Sequence, residues 1–325
     1  MKAKGFSLMS GGLDSQLAVK VLQRAGAHVE GICFSSPFFS SQTAERSAKA
    51  LGIELHVIDF TDDAVSLIEN PKHGFGGAMN PCIDCHALMI HRAGELMVER
   101  GFDFVATGEV MGQRPMSQNR QSLGVVERDS GLKGRLVRPL SAKLLEPTIP
   151  EMEGLLNRDA LLDIQGRQRD RQIALAAEFG IEEYPSPAGG CKLTEEGFCR
   201  KLKDLKDHES LLNRRLLELL GTGRRFRFPS GMGVVLGRDR LDNERLKRES
   251  DLGVVLSPVN CPGPTAILTG PVSGSDLTLA AELVCAYSKC DRLAEDVIVQ
   301  IGREKVRRSI PGPYQRDTFK EFQIC

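Results

Sequence analysis

The sequence predicts an α/β protein: a parallel sheet covered by helices on both faces, followed by a smaller α+β domain. Three observations carry that prediction. Short β-branched and aromatic runs alternate with helix-period segments through the first part of the chain, at the spacing of βαβ units. A turn with paired glycines, Ser10-Gly11-Gly12, joins the first apolar run to the first helix. From Leu211 onward the pattern changes to a hairpin-like pair of strands and one long apolar helix.

Composition narrows the class. A chain of 325 residues, 41% hydrophobic and 26% charged, is long enough for two domains with separate cores. No apolar run reaches membrane-spanning length, and the start runs straight into the first strand, so a cytoplasmic protein with no membrane partner is expected. Nine cysteines, an odd number with several inside apolar runs, argue against an extracellular disulfide framework and for reactive or ligating thiols. Net charge is zero, with the basic residues mildly in excess after residue 188. That balance permits a nucleic-acid partner there. The absence of Trp and the presence of only three Tyr argue against a broad aromatic platform for single strands.

The elements follow in order. Residues 6–9 read as the first strand, and Leu17, Val21 and Leu22 mark the helix after it. Strand, glycine turn and helix together form a phosphate-binding arrangement. Gly11 and Gly12 let the backbone turn sharply and let an anion approach main-chain N–H groups at the positive end of a helix. Ser10 and Ser15 add hydroxyl donors. Asp14 is the odd member, because a carboxylate beside phosphate is repulsive unless a ribose or a metal lies between them; Mg²⁺ is the economical choice, with Asp14 as its ligand. No Gly-Lys-Ser/Thr follows, which excludes the loop that grips a γ-phosphate with lysine. The plain alternative is a turn before a capped helix.

Residues 28–35 read as a second strand, with Phe34 at its carboxyl end either in an adenine pocket or in the core. Ser41 caps a helix over 42–51, and 54–60 is a third strand. Asn80-Pro81-Cys82 opens a helix that runs to about residue 100 and carries Cys85 and His86 in its first turns. A thiol at a helix N-terminus has a lowered pKa, and two thiols this far apart can hold one metal or cluster or form a redox pair. A zinc knuckle would need two more ligands. Residues 102–107 form a fourth strand ending at Gly108, which can let the backbone approach an α-phosphate. Residues 136–145 read as the last strand of the sheet, with Lys143 a phosphate neutraliser or a solvated side chain. A polar helix over 166–178 carries Arg167, Arg169 and Arg171.

After a break at 184–190 comes Cys191, beside Lys192, a better reactive candidate than a cysteine in an apolar stripe. Cys199 lies among Phe198, Leu202 and Leu205 at core spacing, with a fourth-ligand role as the alternative. Farther on, a hairpin over 222–237, a strand through Ile267 and Leu268, a helix over 277–290 and a strand over 296–302 make the α+β domain. Cys285 and Cys290 sit among that helix's apolar residues. Arg224, Arg225, Arg227, Arg238 and Arg240 are expected on a phosphate-binding face, with Arg303, Lys305, Arg307 and Arg308 as a second basic segment.

The stretch from Ser10 to Ser15 resembles the PP-loop ATP pyrophosphatases, of the adenine nucleotide alpha-hydrolase-like (HUP) fold. That resemblance implies ATP as cofactor, cleavage between the α- and β-phosphates, and AMP passed to a carbonyl-type oxygen. Cys82, Cys85 and Cys191 behind such a loop resemble the tRNA thiouridine synthases, both 2-thiouridylases and 4-thiouridine synthases, over about residues 1–205. The Asn80-Pro81-Cys82 stretch is similar to theirs, and Cys191 sits where their second functional cysteine is expected, although the Gly189-Gly190-Cys191 context differs from the 2-thiouridylase form.

Three further motifs, Arg225-Phe226 followed by Pro229-Ser230-Gly231, Val235-Leu236-Gly237-Arg238 with Asn243, and Ala280-Ala281 with Tyr287-Ser288, resemble the RNA-binding module of the NFACT proteins. Together the resemblances imply a PP-loop thiolation domain over 1–187, a helical linker with Cys191 over 188–219 and an RNA-binding domain over 220–325. They imply a tRNA sulfurtransferase supplied by a cysteine desulfurase or by sulfide. Its catalytic Cys82, Cys85 and Cys191 would carry a persulfide or hold a [4Fe–4S] cluster with one iron free. An amide-forming ligase, a small-molecule sulfur-inserting enzyme and a non-catalytic RNA-binding protein are the alternatives.

Overall fold

The computed structural model describes residues 2–186, 190–289, 297–301, 306–310 and 314–324. The chain divides into two compact units, Met1–Thr194 and Glu195–Cys325.

In the first unit, β1 (Lys4–Leu8), α1 (Leu13–Arg24), β2 (His28–Ser35), α2 (Gln42–Leu51), β3 (Leu55–Asp59), α3 (Thr61–Glu69), α4 (Cys82–Arg100), β4 (Phe104–Ala106), α5 (Arg120–Ser130) and β5 (Leu136–Val137) build a parallel sheet in the order β3-β2-β1-β4-β5. The strands are short apolar runs because helices cover both faces; Ile32, Cys33, Phe104 and Val105 are all buried. The strand order reverses between β1 and β4. Ligands in open parallel sheets bind beyond the carboxyl ends of strands at such a reversal. The Ser10–Ser15 loop follows β1, and Gly108 follows β4, so both meet there.

Among the helices not read from the sequence, α3 and α5 start at local side-chain contacts. Asp59 Oδ1 accepts from the Thr61 N–H (2.9 Å) to start α3, and Asn119 Oδ1 accepts from the Ser122 N–H (2.8 Å) to start α5. The expected last strand over 136–145 is a correction in the other direction. Pairing stops after Val137, because Pro139 has no N–H to donate, and 142–144 is a 3-10 turn. Beyond it lie α6 (Ile149–Met152) and α7 (Asp170–Glu178); the latter starts four residues later than expected.

The second unit opens with α8 (Glu196–His208) and α9 (Arg214–Leu219). The sequence set these apart as a linker over 188–219. The structure packs them into the second unit, where the β6 arginines Arg225 and Arg227 hold Asp204 and Glu209 at the end of α8. An antiparallel sheet follows: β6 (Arg224–Arg227), β7 (Gly233–Leu236), β8 (Gly253–Pro258), β9 (Ala266–Thr269), β10 (Val297–Ile301), β11 (Val306–Ile310) and β12 (Gln323–Ile324), in the order β11-β10-β8-β9-β7-β6-β12. Two helices, α10 (Arg240–Arg248) and α11 (Gly274–Tyr287), complete it. Phe226, Phe228, Leu268, Leu283, Val284 and Phe319 are among its core. Cys285 is buried there as expected, whereas Cys290, Arg303 and Lys305 lie outside the described residues. Cys261 is disulfide-bonded.

Candidate active site

The loop is built to leave N–H groups open. Gly11 has φ +77, and a Cβ there would lie 2.5 Å from the Thr43 carbonyl carbon, so no other residue fits. Its carbonyl is fixed by Gln16 Nε2 (3.1 Å) and Ser47 Oγ (3.2 Å), and Gln16 also donates to the Glu183 carbonyl (3.0 Å). With the carbonyl turned inward, the first N–H groups of α1 point outward with no intrahelical acceptor, and Gly12 supplies no capping side chain. Ser15 is buried and its hydroxyl donates to the Gly12 carbonyl (2.8 Å), so it shapes the loop; Ser10 Oγ accepts from the Gly12 N–H (3.3 Å) at the exposed lip. Gly108 lies against the loop from β4, and a Cβ there would come 2.7 Å from the Asp14 backbone. Asp14 Oδ2 accepts from Gln113 Nε2 (3.0 Å), while its Oδ1 is buried with no hydrogen-bond partner. A cation satisfies such an oxygen, so Asp14 fits a Mg²⁺ beside phosphate.

Phe34 is only 5% exposed and packs edge-on against Phe60 (5.3 Å between ring centres), so its ring belongs to the core and presents no open face to an adenine. Lys143 donates to the Asp159 carbonyl (2.9 Å), a structural contact in place of the phosphate role.

The thiols lie on the same side of the sheet. Cys82 is the first residue of α4, with Pro81 just outside, and Asn80 Nδ2 donates to its sulfur (3.1 Å). Cys85 follows one turn on. The segment after Cys191 is tied to the loop beyond β2, because the Lys192 N–H donates to the Phe38 carbonyl (2.9 Å). Burial raises the Cys85 thiol well above the ordinary range, and charge on Cys191, Cys82 and Asp84 pushes it further in the same direction. The expected lowering at a helix N-terminus is therefore overturned for Cys85: desolvation and like charge exceed the helix dipole. Cys191 stands one residue before the tie to Phe38, in the same unit as Cys82 and Cys85.

Sequence reasoning missed a buried network next to these groups. Glu109, directly after Gly108, accepts from Arg138 Nε (2.9 Å), Thr107 Oγ1 (3.0 Å) and His86 Nδ1 (3.0 Å). Arg138 also reaches Glu127 (3.2 Å) and the Leu123 carbonyl (3.0 Å). Burial raises the Glu109 pKa, but Arg138 and His86 outweigh it and bring the group from 4.5 down to about 2. The network therefore ties α4, β4 and α5 together through one ionised carboxylate. Glu109→Gln is expected to cost about 3–5 kcal/mol of unfolding free energy, because the buried Arg138 loses its one buried counter-charge and keeps only the part-exposed Glu127. A folded-state pKa below the unfolded value gives stability that is full above about pH 4.5 and lost as pH falls toward 2. Urea melts of wild type and variant across that window check it: the gap should close as pH falls.

Several known proteins resemble parts of this chain. Residues 1–143 match the family described as "Thiamine biosynthesis protein (ThiI)", and residues 223–322 match "NFACT protein RNA binding domain". A probable tRNA sulfurtransferase of Clostridium acetobutylicum is 31% identical over 131 residues, covering 38% of this chain and 32% of that protein. A tRNA-specific 2-thiouridylase MnmA of Sulfurimonas denitrificans is 35% identical over 112 residues, covering 31% of this chain and 32% of that protein. The chain thus spans about a third of the length of these curated relatives. A solved 4-thiouridine synthetase in complex with RNA and bound ATP is 21% identical, covers 66% of this chain and 52% of that chain, and superposes with a TM-score of 0.38. The matched first segment contains the loop, Cys82, Cys85 and Gly108, whereas Cys191 lies beyond it. The fold class read from the sequence holds: an α/β unit with a five-stranded parallel sheet, followed by a smaller α+β unit.

Proposed function

We propose that this protein is an ATP-dependent tRNA sulfurtransferase. It transfers AMP from ATP to a uridine carbonyl oxygen and then replaces that oxygen with sulfur. The observation that carries the reading is the pair Cys82 and Cys85 in the first turn of α4, in the same unit as the open glycine loop and as Cys191, which directly precedes the Lys192 tie to Phe38. An ATP-binding loop alone would serve a ligase equally well; the Cys-x-x-Cys turn in the same unit favours sulfur handling.

In the first step the uridine oxygen attacks the α-phosphorus, a new O–P bond forms, and the bond to the β-phosphate oxygen breaks to release diphosphate. The N–H groups at the start of α1 stabilise the charge that builds on the leaving group; Asp14 would hold a Mg²⁺, which would supply further positive charge there. In the second step a sulfur nucleophile adds to the activated carbon and AMP departs with the former carbonyl oxygen. In the persulfide route the terminal sulfur on Cys191 or Cys82 attacks, and a neighbouring thiol attacks the carrier sulfur to form a disulfide, freeing the new C–S bond.

Cys82, Cys85 and Cys191 also suit a [4Fe–4S] cluster. Tetrahedral zinc gathers thiolates at about 2.3 Å from one ion, hence about 3.8 Å from each other. Among the described residues the one group of three ligands within 4.8 Å of one another is Glu30, Glu54 and His56, so Cys82, Cys85 and Cys191 do not have the spacing of a single zinc ion. When bound, such a cluster supplies an open iron position for hydrosulfide. We favour the cluster, with a cysteine desulfurase or free sulfide as source. Protein purified anaerobically is then expected to be brown and oxygen-sensitive; a colourless, iron-free and active preparation would leave the persulfide route. The test of the function itself is incubation with ATP, a sulfide source and bulk tRNA. Thiolated nucleosides with AMP support it; AMP without them favours a ligase, and neither product favours a binding protein.

The second unit is proposed to bind the tRNA, through a smaller basic surface than the sequence implied. Arg225 is 2% exposed and Arg227 is held by Asp204 and Glu209, Arg238 pairs with Asp242 (2.8 Å), and Arg240 with Glu244 (2.8 Å). Arg307 and Arg308 are exposed on the edge strand β11, and Arg224 and Arg316 stack on Tyr287 (5.2 and 4.9 Å). Replacing Arg307 and Arg308 by Ala is expected to weaken tRNA binding and lower the salt slope by about 1 for each phosphate no longer neutralised. An unchanged slope would remove this strand from the RNA surface.

A further inference from the structure

One arginine beside the loop has no structural task. α7 runs alongside α1 in the same direction. Arg169, just ahead of α7, lies 4.0 Å (Nη2 to Oδ1) from Asp14 in the first turn of α1, while Glu178 at the end of α7 pairs with Arg24 at the end of α1 (3.0 Å). Two helix N-termini therefore face the same point, and their dipoles add. The approach to α7 is braced: the Gly166 N–H donates to the Met111 carbonyl (2.8 Å), Met111 bridges Gln165, and the Met111 N–H donates to Ser141 Oγ (3.0 Å).

Within that rigid frame the guanidinium is unused. Arg169 Nε is buried with no partner, and among the described residues the side chain donates no hydrogen bond. Its nearest carboxylate oxygen, Asp14 Oδ1, is equally buried and equally unsatisfied, at a separation too long for a hydrogen bond. A pair selected to neutralise each other would close that gap. Two orphaned groups of opposite charge, held apart by braced backbone, are completed together by a ligand that offers an anion to one and a cation to the other. Nε and Nη2 form the edge of the guanidinium that grips two oxygens at once.

We propose that Arg169 is a diphosphate clamp: its Nε–Nη2 edge binds non-bridging oxygens of the β- and γ-phosphates, opposite the N–H groups of α1, with Gln113 holding Asp14 turned toward the cation. This rests on the reading of the loop as an ATP site. It adds that the site grips the part of the nucleotide that leaves, so affinity falls once diphosphate has gone.

Titration calorimetry of the full chain with Mg²⁺ and a non-hydrolysable ATP analogue, with diphosphate, and with AMP separates the possibilities. In Arg169→Met the analogue and diphosphate are expected to bind about 10- to 100-fold more weakly, the loss of charge-assisted hydrogen bonds, while AMP binds as before. Arg169→Lys keeps the charge without the fork and is expected to recover part of the loss. Diphosphate binding unchanged in Arg169→Met, or AMP and the analogue weakened equally, overturns the clamp. If wild type itself binds neither analogue nor diphosphate, the ATP site and the clamp fall together; if wild type binds both and the variants match it, only the clamp falls.

Discussion

Replacing Cys191 by serine is expected to reduce thionucleoside formation to background, a loss on the order of 10³-fold or more, as for other deleted nucleophiles. Serine is close in size but forms no persulfide and binds no iron well. The same loss is expected for Cys82→Ser and Cys85→Ser. Adenylation should survive in all three, because the loop is held by Gln16 and Ser47 on the Gly11 carbonyl and owes nothing to the thiols. Cys199→Ser is the control: Cys199 is 7% exposed, in line with Phe198, Leu202 and Leu205 on α8, and its loss should leave thiolation intact. Two measurements are needed, thionucleosides in digested tRNA and exchange of labelled diphosphate into ATP. Full thiolation by Cys191→Ser would remove that residue from the chemistry, and loss of exchange would mean the cysteine supports the nucleotide site instead.

What the sequence made legible was local. A strand, a glycine pair and a helix are contiguous, so the glycine loop could be read from residues 6–22, and the first three strands fall within a residue or two of their expected bounds. Groups assembled from distant segments were not legible. His86, Glu109 and Arg138 share no spacing rule, and neither do Asp14, Gln113 and Arg169. Each was one polar residue among many until the fold brought it to its partners. Burial was the other blind spot. A phenylalanine at a strand end reads the same whether Phe60 covers it or a ligand does, and arginines in a run read as surface although alternation along β6 turns Arg225 inward to Asp204 and Glu209. Ser230 and Asn243, part of the motif that resembled an RNA-binding module, likewise serve the fold: Ser230 Oγ donates to Asp276 (2.6 Å), and Asn243 Oδ1 accepts from the Thr265 N–H (2.8 Å).

Gly108→Ala is expected to lower adenylation by about 10²-fold while leaving the protein folded, since a displacement near 1 Å at a reacting centre costs that much. The added Cβ would lie 2.7 Å from the Asp14 carbonyl carbon and oxygen and from the Ser15 nitrogen. All three are backbone atoms and cannot swing aside as a side-chain tip would, so either β4 or the start of α1 must move. β4 is pinned by its ladder to β1 and by Glu109 to Arg138, whereas the first turn of α1 is uncapped, and the movement therefore falls on the N–H groups that face the phosphates. Gly12→Ala separates this cause from loss of ligand space. Its Cβ would meet nothing nearer than Ser10 Oγ at 3.4 Å, so the free protein accepts it, and any loss arises from the methyl group standing where the nucleotide approaches. The two variants should therefore differ before any nucleotide is added: a lower melting temperature for Gly108→Ala, an unchanged one for Gly12→Ala, and weakened ATP binding in both. Normal adenylation by Gly108→Ala would show that the contact between β4 and the loop does not set the geometry of phosphate binding, and the placement of the nucleotide at the reversal of the sheet would have to be abandoned.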